Sequence, residues 1–395
     1  MDSLPLPLPA TRAAALARLA AFLPRAGLPY AARRNEDLPG HPHVSGLSPY
    51  IRHRLLTEAE VIDATLRTHP QGADKFLAEV WWRTYWKGWL ERRPAIWSAY
   101  RQGLTAALNR VQTESGLRTQ WEAACTGDTG IDGFDHWARE LVATGYLHNH
   151  ARMWFASIWI FTLRLPWELG ADFFLRHLID GDPASNTLSW RWVGGLHTQG
   201  KTYAATTDNI AKNTGGRFRP AGLARDCAAL PMTPHPAPRP VPQGDIPDPT
   251  LPSALLLHED DLSGDGFASL SAIRQDGPLL FLATTPRRSP LAIGTQVADF
   301  VTAALDDTAR RLGQPDAPRF TDATPDALAD HLAAQGIRQL VTPYAPIGPT
   351  AAALQRLAPL LQDRDIRLTR LLRDHDAQAW PHATHGFFRF REGVM

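Results

Sequence analysis

The chain has 395 residues, of which 44% are hydrophobic and 21% charged, a composition typical of a globular protein with a substantial core. The formal net charge of +1 excludes attraction of polyanions by the molecule as a whole, so any nucleic-acid site has to be a local patch. Two cysteines, Cys125 and Cys227, are too few for an iron–sulfur cluster and are typical of a reduced, cytoplasmic protein.

Neither the start of the chain nor its most apolar run indicates export or membrane insertion. The opening stretch MDSLPLPLPA lacks a basic segment followed by a long apolar one, so we expect no secretion signal. The run Met153–Trp167 is too short to span a bilayer and contains Arg164. We therefore expect a buried helix there and no membrane contact.

Apolar residues at helical spacing predict an all-α half up to about residue 230. Thr57 followed by Glu60 has the spacing of a capping box, which marks the start of a helix. The predicted helices in this half are 11–28, 56–69, 74–93, 133–146, 149–164 and 168–179.

The pattern changes after a segment at 231–252 that has nine prolines in 22 residues, which predicts a semi-rigid linker. Beyond it, short apolar runs predict strands at 253–258, 278–285, 337–344 and 366–372. Predicted helices alternate with them at 295–313, 324–335 and 349–363, so we expect a parallel, wound sheet. The Gly264–Gly266 stretch GDG is not a dinucleotide-binding fingerprint. The prediction is a mainly α protein with a helical domain at 1–230, a linker at 231–252 and a smaller wound α/β domain at 253–395.

Four segments of the helical half carry a family resemblance. They are, in order, YAARRNEDLPGHPHVSGLSPYIRHRLL, FLAEVWWRTYW, TGIDGFDHWARELVATGYLHNHARM and LIDGDPASNTLSWRW. Together they are similar to the motifs of the all-helical FAD-binding domain of the cryptochrome and DNA photolyase family. The resemblance covers residues 12–218 and implies that fold, with FAD as the cofactor.

The resemblance also implies which residues bind the cofactor. It places Arg152 under the flavin ring and paired with Asp180, Asp182 at the polar edge of the ring, and Asn186 opposite N5. An amide at N5 can donate or accept a hydrogen bond but cannot lose a proton, which suits a stable reduced flavin. The candidates for the diphosphate side are Tyr30, Ser45, Ser48 and Arg83. Val44 and Gly46 replace a Thr and an Arg of the family pattern. Alternatively, Asp180 and Asp182 are a helix cap and a surface acid.

A lesion pocket is implied by the same comparison. Glu79, Trp82, Asn149, Met153 and Trp192 match residues that hold a pyrimidine dimer flipped out of the DNA stack. The two indoles offer stacking faces, and Glu79 can bind the polar edge of a base. Alternatively, the indoles belong to the core, although an unpaired acid buried beside them would be costly. His148 and His150 are offset by one position from the His pair of (6-4) enzymes, so the pocket resembles the cyclobutane-dimer type.

Electron transfer to the flavin runs through a chain of tryptophans in the family, and Trp190 and Trp167 match its first two positions. The third position falls near Glu114, which is not aromatic. Trp121, Trp159 and Tyr146 are candidates to replace it, and the sequence does not choose among them.

Two departures from the family concern DNA contact and domain order. The loop after Trp192 lacks the usual arginine-containing stretch, and Lys201, Lys212 and Arg217 are either phosphate contacts or a solvated surface.

Family members normally begin with an α/β antenna domain, whereas here the α/β region comes last. This order predicts a permuted antenna domain, whose pigment the sequence does not identify; the alternative is an unrelated small α/β domain.

The predicted activity is light-driven splitting of cyclobutane pyrimidine dimers by electron transfer from reduced FAD. The catalytic set is Asn186, Glu79, Trp190, Trp167, Asn149 and Met153, with damaged DNA as the partner and a monomer as the expected state. The alternative is a cryptochrome-type photoreceptor that binds FAD and does not repair DNA. A third possibility is a vestigial flavin pocket on a protein that binds nucleic acid or another partner.

Overall fold

The computed structural model describes residues 8–264 and 277–395. The first seven residues, which bear on the secretion-signal prediction, and two residues of the GDG stretch lie outside these ranges. Within them no helix is long and apolar enough to cross a membrane. The run after Met153 continues a helix as a π-helical turn, Ile158–Thr162, and its apolar side chains are buried as predicted.

The first half of the chain is helical, as predicted, and no strand occurs between residues 8 and 252. Its helices are α1 (Arg12–Phe22), α2 (Leu28–Arg33), α3 (Ser48–Arg52), α4 (Glu58–Thr68), α5 (Asp74–Glu91), α6 (Ala95–Thr113), α7 (Ser115–Thr126), α8 (Phe134–Thr144), α9 (Asn149–Ser157), α10 (Trp167–His177), α11 (Pro183–Val193) and α12 (Thr207–Asn213).

Two helix starts show how local chemistry sets these boundaries. The capping box at the start of α4 is confirmed, because Thr57 Oγ1 accepts from Glu60 N at 3.3 Å and Glu60 Oε2 accepts from Thr57 N at 2.8 Å. The prediction of a single helix over 11–28 was wrong. Pro24 cannot continue a helix, so α1 ends at Phe22 and a 3₁₀ turn precedes α2.

Residues 231–252 contain neither helix nor strand, in agreement with the proline pattern. After them a five-stranded parallel sheet has the order β3-β2-β1-β4-β5. Its strands are β1 (Ser253–His258), β2 (Leu279–Ala283), β3 (Arg319–Thr321), β4 (Gln339–Pro343) and β5 (Arg367–Leu371). The described helices after β1 are α13 (Thr295–Arg311), α14 (Pro325–Ala334), α15 (Pro349–Gln362), α16 (Asp374–Ala379) and α17 (Phe387–Val394). The wound parallel sheet is confirmed, and β3 was missed.

Buried ion pairs join the residues after β1 to α3 and to the turn between α3 and α4. Arg52 pairs with Asp260 at 2.6 Å, and Arg54 pairs with Asp261 at 3.1 Å. Arg54 also pairs with Glu58 at 3.2 Å and with Asp376 at 2.6 Å. In wound parallel sheets, ligands commonly bind at the carboxyl ends of the strands, at the point where the strand order reverses. In this sheet that point lies between β1 and β4. Here residues 259–264, which follow β1, lie against α3 and the turn after it through the ion pairs of Asp260 and Asp261.

The C-terminal segment, residues 374–395, returns to the helical half and packs along α5. His375 stacks on Trp81 with ring centroids 4.8 Å apart, and Tyr85 Oη donates to the carbonyl of His385 at 2.8 Å. The fully buried Trp380 lies against Gly88, where a Cβ would be 2.6 Å from the indole Cδ1. The α5 helix therefore has the C-terminal segment on one side, and α11 also packs against it.

Candidate functional site

One pocket of about 560 Å³ lies between α5, α9, α11 and the loop that leads into α3. It brings together all of the predicted cofactor residues, namely Tyr30, Ser45, Ser48, Arg83, Arg152, Asp180, Asp182 and Asn186. It also contains all of the predicted lesion residues, namely Glu79, Trp82, Asn149, Met153 and Trp192. A volume of this size suits a cofactor or a small ligand.

The start of α11 is set by Asp182, whose carboxylate caps the helix by accepting from Ser185 N at 2.8 Å. Pro183 follows at the first helical position, where its missing N–H costs nothing. Burial raises the pKa of Asp182, but the charges of Lys87, Arg83 and Arg52 outweigh it, so the pKa lies below its usual value. Asp182 is thus a cap and also a buried anion in the pocket wall.

Arg152 and Asp180 form an ion pair at the floor of the pocket, with Nη2 to Oδ2 at 3.0 Å. Arg152 Nε donates to the carbonyl of Leu147 at 3.0 Å, which fixes the guanidinium on α9. Burial raises the pKa of Asp180, but the charges of Arg152 and Arg83 bring it below its usual value. Asp180 is therefore a buried, ionised acid and not a surface residue.

Asn186 is buried on α11, and its amide Nδ2 donates to the carbonyl of Ala171 at 2.7 Å. Only the NH₂ end of an amide can donate to a carbonyl, so this bond fixes the side-chain orientation. The amide oxygen of Asn186 is then the atom left to accept a hydrogen bond in the pocket.

Several buried polar atoms of the pocket wall have no hydrogen-bond partner within the protein. They are Arg83 Nη1, Asp180 Oδ1, Ser185 Oγ and Trp190 Nε1. Buried polar atoms are normally satisfied, so ordered water or a polar ligand is expected beside these four atoms. Arg83 Nη1 lies 3.6 Å from Asp182 Oδ2 as an ion pair, and Asp180 Oδ1 is an acceptor in the same wall.

Glu79 has a charged partner and so avoids the cost of an unpaired buried acid. Its Oε1 accepts from Arg34, which also lines the pocket. Desolvation raises the pKa of Glu79, although the charge of Arg34 opposes the shift. The sequence analysis did not identify Arg34 as a pocket residue. The sequence indicated only that a buried acid beside two indoles needs a cationic partner.

The two pocket indoles are each backed by another ring. Trp82 stacks on Phe387 with centroids 3.8 Å and planes 10° apart, and Trp192 stacks on Tyr203 with centroids 5.7 Å apart. Both indoles are half-buried and line the pocket, so each retains surface toward it. This arrangement differs from a closed core, in which no indole surface would remain for a ligand.

The two histidines flanking Asn149 have different environments. His148 is fully buried, and burial lowers its pKa to about 3; its Nδ1 accepts from His150 N at the start of α9. His150 lines the pocket, stacks on Trp154 and contacts Tyr203 Oη at 3.1 Å. Asn149 and Met153, one turn apart on α9, line the pocket as predicted.

Of the predicted electron-transfer residues, Trp190 lines the pocket and Trp167 does not. The Trp190 ring lies 6.1 Å from Trp159, whereas the Trp167 ring lies 5.7 Å from Tyr100. Tyr100 is in turn 5.1 Å from the half-buried Trp97, a pair that sequence reasoning missed. Tyr146 lines the pocket, Trp121 is partly buried, and Glu114 forms a surface pair with Arg110. The electron-transfer roles remain predictions.

Among the three candidate DNA contacts, Arg217 has a partner within the protein. Its Nη2 donates to the carbonyl of Asp37 at 2.5 Å and lies 3.5 Å from the Asp37 carboxylate. Lys201 and Lys212 are exposed. The structure therefore favours a structural role for Arg217 and leaves the two lysines as candidates for phosphate contact.

A buried acid–histidine cluster supports the pocket behind Tyr146. His41 Nε2 lies 3.1 Å from Glu140 and its Nδ1 lies 3.5 Å from Asp37, and the ring packs on Tyr146. Burial lowers the pKa of His41, but the neighbouring carboxylates of Asp37 and Glu140 outweigh it and raise the pKa to about 9. Charged His41 therefore stabilises the folded protein.

We expect this histidine to make stability fall with pH in a defined window. A folded-state pKa of about 9 against 6.5 unfolded gives a contribution on the order of 3 kcal/mol, which is fully present below pH 6.5 and lost as pH rises toward 9. Urea unfolding of wild type at several pH values measures it. A His41→Gln variant is expected to lack this fall, whereas a variant of the exposed His382 is expected to retain it. An unchanged slope in His41→Gln would contradict the assignment.

Comparison with known proteins finds relatives of the helical half. Residues 76–218 match the family described as the FAD binding domain of DNA photolyase. The deoxyribodipyrimidine photo-lyase of Thermus thermophilus is 36% identical over 221 residues, which cover 55% of this chain and 50% of that protein. The photo-lyase of Streptomyces griseus is 32% identical over 189 residues, covering 45% and 40%. A cryptochrome structure from Synechocystis aligns at 22% identity with a TM-score of 0.41, covering 51% and 43%. The chain thus spans half or less of the length of these relatives.

Proposed function

We propose that this chain, which belongs to the cryptochrome and DNA photolyase family through its FAD-binding helical half, splits cyclobutane pyrimidine dimers in DNA under light. The observation that carries the proposal is the shared pocket. The α5 helix presents Glu79 and Trp82 to the same cavity that Arg152, Asp180 and Asn186 line. A lesion held by the first pair would lie beside a cofactor held by the other three.

The residues of the pocket fit FAD. Arg83, which is ion-paired with Asp182 at 3.6 Å, and the hydroxyls of Ser45, Ser48 and Ser185 offer donors to a diphosphate. The free amide oxygen of Asn186 suits the N–H that a reduced flavin carries at N5. Bound and reduced, FAD supplies the electron that light makes available.

The chain itself binds and orients the lesion. A pyrimidine dimer has to leave the DNA stack to reach the pocket, and stacking on Trp82 and Trp192 offsets part of that cost, at about 1–3 kcal/mol per base. The Glu79 carboxylate accepts from the imide N–H of a pyrimidine. Arg34 holds one carboxylate oxygen, so the second oxygen is the one assigned to the base. Asn149 adds a polar contact from α9.

The first test is repair of an oligonucleotide that carries one dimer, illuminated with the reduced, FAD-loaded protein and compared with a dark control. Glu79→Ala is expected to weaken dark binding of the dimer by about 10- to 100-fold, the value of a hydrogen bond to a charged group. Glu36→Ala is the matched control, because Glu36 pairs with the neighbouring Arg33 outside the pocket. A dimer left intact by the illuminated wild type would refute the proposal.

The engagement of Arg217 by Asp37 favours one alternative, a cryptochrome-type photoreceptor, because it removes a candidate phosphate contact. Such a protein would be yellow and photoreduce its FAD while leaving the dimer intact. A colourless protein that cannot be loaded with FAD would instead indicate a vestigial pocket.

The domain division 1–230, 231–252 and 253–395 is part of the proposal, with the last unit as an antenna domain moved behind the helical one. The parallel sheet supports this division, and so do the ion pairs of Asp260 with Arg52 on α3 and of Asp261 with Arg54 just after it. Damaged DNA is the proposed partner of a cytoplasmic monomer. No antenna pigment is assigned.

A further inference from the structure

The ring of Phe387 lies face to face on the ring of Trp82, with centroids 3.8 Å and planes 10° apart. Phe387 is 4% exposed, at the start of α17, whereas Trp82 lines the pocket. Tyr85 meets the same indole at an interplanar angle of 80°, and Trp86 meets it at 32°. Phe387 therefore covers one face of the Trp82 indole, and the rings of Tyr85 and Trp86 pack beside it.

We propose that Phe387 is a positioning residue that holds the Trp82 indole at the angle needed to stack on a flipped base. The inference rests on the proposed function for the identity of that base. Its physical reason is preorganisation: an indole that is already held in place loses little freedom when the base arrives. Without the phenyl ring behind it, the indole gains rotamers that do not face the base.

The rest of the C-terminal segment anchors Phe387. Thr84 Oγ1 and His375 Nε2 are 2.9 Å apart, and Arg93 Nη2 donates to the carbonyl of Thr384 at 2.8 Å. Trp380 packs tightly on Gly88. These contacts attach the segment to the C-terminal half of α5 and to Arg93 just after it, so α17 cannot slide along α5 and carry the phenyl ring away from Trp82.

Phe390 offers a matched control on the same helix. It is fully buried and packs on Trp81 and Tyr85 with centroids 6.0 Å and 5.4 Å away. Among the described ring contacts none joins Phe390 to Trp82. Phe387→Leu and Phe390→Leu remove the same atoms from the core, but only the first removes the stack on the pocket indole.

The direct test is fluorine NMR of protein labelled with fluorotryptophan, with the Trp82 resonance assigned by its loss in Trp82→Phe. Wild type and Phe390→Leu are expected to give the same narrow resonance. Phe387→Leu is expected to shift or broaden it, and Phe387→Tyr to restore it. A Trp82 resonance that is unchanged in Phe387→Leu would overturn the proposal. This readout needs neither DNA nor bound cofactor.

The second test compares dark binding of a dimer-containing oligonucleotide with binding of the undamaged strand. Phe387→Leu is expected to lower the preference for the dimer by about 2- to 10-fold, the size of an aromatic pair, with Phe387→Tyr close to wild type. If Phe387→Leu and Phe390→Leu lowered the preference for the dimer equally, Phe387 would act only through core packing, and the proposal would be overturned. If wild type shows no preference for the dimer, the repair function fails, and the fluorine resonance alone decides whether Phe387 fixes Trp82.

Discussion

Arg54→Met is expected to destabilise the protein by about 3–5 kcal/mol, the cost of removing one partner from a buried ion-pair network. The guanidinium is 2% exposed and contacts Glu58, Asp261 and Asp376 at 3.2, 3.1 and 2.6 Å. Methionine keeps an unbranched apolar stem but supplies no charge, so three buried carboxylates lose a shared counterion. Urea unfolding at neutral pH measures the effect.

The network also predicts how the effect responds to salt and acid. Burial raises the pKa of Asp261, but the charges of Arg373 and Arg54 bring it down to about 2. The contribution of Asp261 to stability is present above the unfolded pKa of about 4 and is lost as pH falls through 2.

High salt should change the Arg54→Met effect little, because buried pairs are poorly screened. Arg110→Met, in an exposed pair with Glu114, is the control and should cost at most about 0.5 kcal/mol. A loss below about 1 kcal/mol for Arg54→Met would contradict the role given to this network.

Gly170→Ala is expected to cost about 3 kcal/mol, the upper range for overpacking a core, and to lower the FAD content of the purified protein. A Cβ at Gly170 would lie 2.3 Å from Cη2 of Trp190 and 2.9 Å from Cε2 of Trp159. Both indoles are fully buried, so neither can move without disturbing the core. Trp190 also forms part of the pocket wall, so its displacement reshapes the cofactor site.

Thermal unfolding and the absorbance of bound flavin test this prediction. Gly116→Ala is the matched control, since no atom lies within 4 Å of the position that its Cβ would take and alanine favours the helix by up to about 1 kcal/mol. The two substitutions should therefore have opposite signs. A stable, fully yellow Gly170→Ala protein would show that the indoles can rearrange.

The sequence allowed much of the fold to be predicted because local patterns set it. The apolar run at 253–258 coincides with β1, and the Thr57 capping box starts α4. The strand β3 (Arg319–Thr321) was missed because it is three residues long and mostly exposed, so it has no apolar pattern. The apolar pattern of α17 indicates that one face of this helix is buried, but it does not indicate that α5 covers that face.

The candidate site was predicted through motifs, and what the motifs do not encode was missed. Glu79 and Arg34 are 45 residues apart, and Arg54 and Asp376 are 322 apart. No local spacing relates such partners, since only the assembled fold brings them together. The stack of Phe387 on Trp82 belongs to the same class, because its two rings come from opposite ends of the chain.

The return of the C-terminal segment to α5 has a consequence for the order of events during translation. Thr84 and His375, which contact each other, are separated by 291 residues. At 5–20 residues per second, ribosomes need roughly 15 to 60 seconds to make the intervening polypeptide. Throughout that interval the nascent chain exposes the side of α5 that bears Trp81, which His375 covers in the folded protein. The pocket therefore acquires its final form only when residues 374–395 have emerged, and flavin capture is expected to follow their synthesis.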